Sequence, residues 1–317
     1  MTKRPTCPRP RRLVVVGSVL VDILMYVDHL PMRGGDTIAH RTLTTSGGGF
    51  NVLIGASRLG MPASYAGRVG NGPMGTQVQA DLAAATLPLL LPRVVGEDTG
   101  FDIGLVEASG ERTFVTAPGV ESHLSLADLR AIELQAGDAI YLSGYDLCYP
   151  VSGAALEAWL PTLAGEYLVV IDPGPLVAEI PAARLERVLA RTDILSLNAR
   201  EIHLLTGKET ISEAAHSLVP RLADGGYVVA RVGEEGCWLA SASQVPLHIS
   251  ARPTQVLDTT GAGDAHVAAL LARLAVGDDI RTATSAANVA ASLAIERRGP
   301  ATGPTAQELQ AILAELQ

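Results

Sequence analysis

The 317-residue sequence predicts an α/β fold: a three-layer sandwich with a mostly parallel central sheet plus a small β-strand lid. Three observations carry this. Short β-branched runs alternate with longer helix-patterned segments from end to end, which is how a sheet covered by helices is written. The runs themselves, such as Leu13-Val14-Val15-Val16 and Leu168-Val169-Val170-Ile171, are apolar without alternation, as strands buried on both faces are. Two stretches break the rhythm and read as antiparallel excursions from the sheet.

Taken in order, residues 1–12 carry Lys3, Arg4, Arg9, Arg11 and Arg12, no acid, and Pro5, Pro8 and Pro10. They read as a disordered basic tail. The first strand, 13–17, continues apolar to Val21 and closes at Asp22. Residues 23–46 alternate polar and apolar positions with no helix between, and form the first lid segment. A helix over 50–60 follows the glycines, then a strand at 63–69 and a helix at 74–86. Residues 100–117 read as a hairpin turning at Ser109-Gly110-Glu111, the second lid segment. Helices at 125–135, 152–163, 182–191 and 211–223 then separate strands at 138–143, 167–172, 193–197 and 226–232. The last fifth is helical, 262–276, 279–295 and 305–316, Ala-rich with apolar residues at helical spacing. Residues 13–317 contain no linker, repeat or low-complexity break.

Composition excludes several classes. With 48% hydrophobic and 18% charged residues the chain is no disordered polymer. Setting aside the five tail cations leaves 19 of 24 against 33 acids, a body of −14 that repels a phosphate backbone. No nucleic-acid partner is expected; a nucleic-acid arm is the weaker reading of the tail. Three widely spaced cysteines, Cys7, Cys148 and Cys237, make neither a disulfide framework nor a zinc site and suit a reducing cytoplasm. No uncharged stretch reaches the roughly 18 residues a membrane helix needs, so no membrane partner is expected.

The strongest chemical signal is Asp258-Thr259-Thr260-Gly261-Ala262-Gly263-Asp264, directly before a helix. Glycines there let backbone N–H groups turn inward, and with the helix dipole they make an anion site. Asp264 beside that site would repel a resting phosphate. It makes sense as a base that takes a proton from an attacking hydroxyl while the amides hold developing charge. An Asp at a helix start after a tight turn is the bland alternative. The second signal is Ser46-Gly47-Gly48-Gly49-Phe50-Asn51, where glycines admit a ligand and Asn51 offers donor and acceptor, or where the chain merely hinges.

Gly47-Gly48-Gly49-Phe50-Asn51, Asn198-Ala199-Arg200-Glu201, Arg231-Val232-Gly233-Glu234-Glu235-Gly236 and Gly261–Asp264 occur in that order. Together they resemble the ribokinase-like (PfkB) family of carbohydrate and nucleoside kinases, over residues 13 to about 303. The resemblance implies transfer of the γ-phosphoryl of ATP to a primary hydroxyl, with Asp264 as base and the amides of Gly261, Ala262 and Gly263 as anion hole. It implies Glu201 acting on Mg²⁺ through water, Asn198 near the phosphates, Arg231, Gly233 and Gly236 under the nucleotide, and Asn288 on the adenine side. On the acceptor side it implies Asp22, Gly47, Gly48 and Asn51, with Asp146 as a further candidate at a strand end. Asp258 and Thr260 would contribute to a monovalent-cation site for K⁺. Taken alone, Asn198–Glu201 reads first as a helix cap, and a turn former is the second reading of Asp22.

The sequence departs from the family at three points. Phe50 stands where members often carry Lys, which argues against a phosphorylated sugar. Gly72 replaces the usual acid after the second strand, and His266 the usual aromatic after Asp264. A lone His on an apolar helix is more often core or cap than catalyst. Gly70-Asn71-Gly72-Pro73-Met74-Gly75 matches a dinucleotide fingerprint, so an NAD-dependent oxidoreductase is the rival class, but it follows the second strand and contains Pro73. A non-catalytic sugar-binding relative would not need Asp264. The reading is a cytoplasmic sugar kinase, ribokinase- or fructokinase-like, with a nucleoside kinase as the alternative. Phe50, Tyr26, Phe101 and Phe114 are the rings available to a base, and a homodimer through the lid is expected.

Overall fold

The computed structural model describes residues 9–108, 111–163 and 166–316. The chain opens with β1 (Arg12–Val16), and after only Gly17-Ser18 enters β2 (Val19–Tyr26). These two strands belong to different sheets. β1 pairs in parallel with β4 (Ala63–Ala66) on one side and β7 (Asp138–Ser143) on the other. Parallel pairing continues through β8 (Leu168–Asp172), β9 (Ile194–Asn198) and β10 (Tyr227–Arg231). Two antiparallel strands, β11 (Cys237–Ser241) and β12 (Gln244–Ile249), finish the edge, giving the order β12-β11-β10-β9-β8-β7-β1-β4. The unbroken apolar runs are buried as their composition demands: Val14, Ile140, Val169 and Leu195 have no exposed surface.

Helices cover both faces. One core packs α1 (Gly49–Arg58), α9 (Ala262–Val276), α10 (Ile280–Ile295) and α11 (Ala306–Glu315) on the sheet through Leu53, Val267, Leu270 and Ala287. The other takes Leu129, Leu156, Leu185, Ile202 and Leu218 from α3 (Leu126–Ala131), α5 (Pro150–Trp159), α6 (Ala182–Leu189), α7 (Ala199–Thr206) and α8 (Ile211–Leu218). α9 and α10, both long and rich in alanine, pack against each other. Two further helices, α2 (Pro73–Ala84) and α4 (Gly144–Cys148), follow β4 and β7 directly or nearly so.

The second sheet is the lid: β3 (Arg41–Gly48), β2, β5 (Phe101–Val106) and β6 (Arg112–Ala117) in the order β3-β2-β5-β6. β2 pairs antiparallel with β3 and parallel with β5, and β5 antiparallel with β6. The expected hairpin is present, with Glu107 N donating to Glu111 O; Ser109 and Gly110 of its turn lie outside the described residues. The first strand does not run on to Asp22 as read from its apolar run. The chain leaves the main sheet at Gly17, so Asp22 sits in the middle of a lid strand.

The basic stretch 1–12 divides. Residues 1–8 lie outside the described residues. Arg9 Nε donates to Ala275 O, Arg11 N to Gly137 O, and Arg12 opens β1 with its guanidinium on buried Asp138. Among the described residues no helix is long and apolar enough to cross a membrane.

Candidate active site

Gly261 caps α9 at φ 72°, a left-handed conformation that glycine enters without a Cβ penalty. That turn gathers the first amides of α9 and the positive end of its dipole at one spot. Asp264 lies in this first turn, and its Oδ2 accepts from Asn51 Nδ2 at 3.0 Å. Asn51 rides on α1, whose start is set by Gly48 at φ 59° and by Gly49 N donating to Ser18 O. The two glycine motifs, more than 200 residues apart, therefore converge on one carboxylate. Burial pushes Asp264 up to about 6, with Asp172 adding to it and Asn51 and Arg231 opposing. Such a group is ionised near neutrality and still basic enough to accept a proton.

Arg231, the last residue of β10, lies against the helix start. Its Nη2 donates to Asp172 Oδ2 at 2.8 Å and stands 3.9 Å from Glu201 Oε2, while Nε and Nη1 are buried with no partner. A Cβ on Gly263 would come within 2.5 Å of Nη1, so Gly263 is what lets the guanidinium lie this close. A fixed cation with free donors beside a helix N-terminus is a seat for phosphate oxygens. Asp172 was not singled out in the sequence; its place at the carboxyl end of a parallel strand is the signal that could have found it.

Asn198 and Glu201 form a reciprocal cap on α7. Asn198 Oδ1 accepts from Glu201 N at 2.9 Å, and both Glu201 oxygens accept from Asn198, from its N at 2.8 Å and Nδ2 at 2.7 Å. The cap reading and the site reading thus describe the same residues, since the capped pair sits beside Arg231. Burial and Asp172 raise the Glu201 carboxyl.

A cleft of about 690 Å³ runs from here, lined by Asn198, Arg231, Gly233, Gly236, Ala262, Gly263, His266 and Asn288. Its far wall is the segment from Ala251 to Val256, which carried no sequence signal. Asn288 holds that wall: its Nδ2 donates to Ile249 O and Ser250 O, and its Oδ1 pairs with His266 Nε2 at 3.1 Å. Burial, helped by Arg231, holds His266 down at about 3, so it is a neutral, almost fully buried link in this network.

On the lid side, Asp22 lies within electrostatic reach of Asp264. Gly47 must lack a side chain, because a Cβ there would collide with the Asp22 carboxylate. Burial first, then Asp102 and Asp264, push Asp22 up to about 7. Asp102, missed in the sequence, stands beside Asp22 in register on β5. Asp146 does not join this group. It is 1% exposed, accepts the Ser18 hydroxyl at 2.6 Å, and backs onto Gly17, so it pins the junction between β1 and β2. Phe50 is buried in the core and Phe114 is exposed on β6; the ring that neighbours Asp22 and Asp102 is Tyr145.

Asp258 is fully engaged. Its Oδ1 accepts from Thr260 N and Oγ1, its Oδ2 from Gly299 N, and Arg112 reaches from β6 to within 3.3 Å of Oδ1 and donates to Thr259 Oγ1 at 2.7 Å. Burial alone would raise the Asp258 carboxyl, but these donors and Arg112 hold it below the usual range. The rival fingerprint at Gly70–Gly75 is also filled: Asp98 accepts from Met74 N and Gly75 N at the start of α2, so its own carboxylate occupies the place of an anion. A Cβ on Gly72 would strike Asp98, so the glycine at position 72 is what lets Asp98 lie against the start of α2.

The model of the pfkB family of carbohydrate kinases matches residues 10–307. The chain belongs to that family. It is a phosphotransferase with an alcohol group as acceptor, a sugar or nucleoside kinase. The kinase is 32% identical over 311 residues to the uncharacterized sugar kinase YegV of Escherichia coli strain K12, covering 97% of this chain and 96% of that one. Its fold superposes on ribokinase from Thermotoga maritima with a TM-score of 0.82 at 22% identity, covering 95% and 99% of the two chains. It likewise superposes on Arabidopsis thaliana ribokinase complexed with ribose and ATP, with a TM-score of 0.76 at 24% identity and 96% and 99% coverage.

Proposed function

We propose that this kinase transfers the γ-phosphoryl of ATP to a primary hydroxyl of a neutral sugar, with Asp264 as the general base. The observation that carries the reading is Asp264, held by Asn51 at the N-terminus of α9 with Arg231 behind it. Asp264 takes the hydroxyl proton, the freed oxygen bonds to the γ-phosphorus, and the bond to the β-phosphate oxygen breaks to release ADP. The amides of Gly261 and Gly263 and the free donors of Arg231 would face the charge that spreads over the transferring oxygens, while the Ala262 N–H is turned onto Thr259 O at 3.3 Å. ATP lies in the cleft of Asn198, Gly233, Gly236 and Asn288.

Both Glu201 oxygens accept from Asn198, and those of Asp172 accept from Gly174 N and Arg231, so these carboxylates would act on Mg²⁺ through water rather than as direct ligands. Among the described residues no three His, Cys, Asp or Glu gather to hold a metal, so the phosphates would provide the remaining oxygens. When bound it supplies charge neutralisation. K⁺ does not fit Asp258 and Thr260 as side-chain ligands, because both Asp258 oxygens are engaged and Arg112 already places a cation there.

Tyr145 beside the two lid carboxylates favours a nucleoside as the second reading, a ring on which a base could stack. A homodimer through β6, an open edge with Val115 68% exposed, belongs to this reading, as does a reducing cytoplasm for the free Cys148 and Cys237. The test is Asp264→Asn with ATP and Mg²⁺ against ribose, fructose, adenosine and pseudouridine. The variant keeps ATP binding and loses turnover by about 10²–10⁴-fold. Undiminished transfer would refute the reading, and the preferred acceptor separates sugar from nucleoside.

A further inference from the structure

The acceptor side of the site contains more carboxylate than a single grip on a sugar requires. Asp22 and Asp102 are register partners on adjacent parallel strands, so their side chains leave the same face of the lid about 4.8 Å apart. Asp264 lies within electrostatic reach of Asp22, and Tyr145 within reach of both lid carboxylates. Asp102 is held on one side by Thr116, its register partner on β6, and its Oδ1 is buried with no partner. Across the site Asn51, 7% exposed, has donated its Nδ2 to Asp264 and leaves its Oδ1 buried and unpartnered.

These two orphaned atoms are both acceptors. A buried polar atom without a partner destabilises the fold, so a fold that keeps two of them around one site leaves them for a ligand that donates. A polyol does so with adjacent O–H groups. A carboxylate or phosphate does the reverse, bringing acceptor oxygens and negative charge against carboxylates. The start of β5 is built to hold this arrangement. Glu121, fully buried, accepts from Gly100 N at 2.8 Å and Gly119 N at 2.7 Å, which fixes the backbone just ahead of Asp102.

We propose that Asp102 is a specificity-determining residue, which with Asp22 accepts hydroxyl hydrogens from an uncharged polyol and rejects acceptors bearing a carboxylate or phosphate. The inference rests on the neutral-sugar reading above and deepens it. The experiment compares wild type, Asp102→Asn and Asp102→Ala with ATP and Mg²⁺ on ribose, fructose, 2-keto-3-deoxygluconate and ribose 1-phosphate. Asp102→Ala raises the KM for the neutral acceptor at least tenfold with the KM for ATP unchanged. Asp102→Asn, which keeps shape and one acceptor oxygen, recovers part of that KM. It also lowers the neutral-to-anionic ratio of kcat/KM at least tenfold, an effect a merely structural residue would not give. An unchanged acceptor KM in Asp102→Ala with an unchanged ratio in Asp102→Asn overturns the role of Asp102 and leaves the kinase reading standing. A wild type that prefers an anionic acceptor overturns the inference alone; one that phosphorylates none of the neutral sugars overturns the parent reading and this with it.

Discussion

The pH dependence of turnover tests the base most directly. Asp264 must be ionised to take a proton, and burial places it at about 6. The rate therefore falls as pH falls through 6: with one essential base, kcat/KM at pH 5 is about one-eleventh of the plateau reached above pH 7. Asp22, pushed to about 7, could produce a similar limb, so the profile alone does not assign it. Asn51→Leu separates the two. The Asn51 N–H bonds Asp264 and stabilises its charged form, whereas the causes acting on Asp22 are burial, Asp102 and Asp264. A hydrogen bond to a charged group is worth about 1.5–3 kcal/mol, and 1.36 kcal/mol is one pH unit, so removing it moves the limb up by about one to two units. The assay is the initial rate of ADP formation at subsaturating acceptor from pH 4.5 to 8.5 in both proteins. A flat profile between pH 5 and 7, or a limb that stays in place in Asn51→Leu, refutes the assignment to Asp264.

Two further outcomes follow from contacts outside that pair. Turnover of the wild type is the same with and without K⁺, because Arg112 already faces Asp258; Arg112→Ala makes the rate respond to added K⁺, which a K⁺ titration of both proteins reads. Gly144→Ala forces a methyl into the Pro173 carbonyl where α4 leaves β7, costing about 1–3 kcal/mol and lowering the melting temperature by roughly 2–10 °C in a thermal scan.

The main sheet was legible because its strands are apolar on both faces, a pattern that survives without any knowledge of neighbours. The join between β1 and β2 was not: Leu13–Val21 is one apolar run, and the change of sheet at Gly17-Ser18 leaves no mark in hydropathy. β11 and β12 were missed for a related reason. β12 is the edge strand and largely exposed, while β11, Cys-Trp-Leu-Ala-Ser, lies inside the sheet but has no β-branched residue to announce it. In the site, Asp264, Asn51 and the cleft residues announce themselves through glycines, whose backbone demands are local. Asp102, Asp172 and Asp98 do not, because an acid at a strand end or in a loop means nothing until tertiary packing shows what it faces. Asp146 was misplaced by the same limit: a strand-end position fits both a ligand contact and a hidden brace.

The two-residue passage from β1 to β2 bears on how the acceptor gets in. It is the place for a hinge, yet Tyr65 Oη donates to Gly17 O at 2.8 Å and accepts from Val19 N at 3.0 Å, while Ser18 is tied to Asp146. The lid is therefore rooted like a leaf spring, clamped at the base where β1 passes into β2. Admitting the acceptor would then call on bending within the lid and not on a swing about Gly17-Ser18.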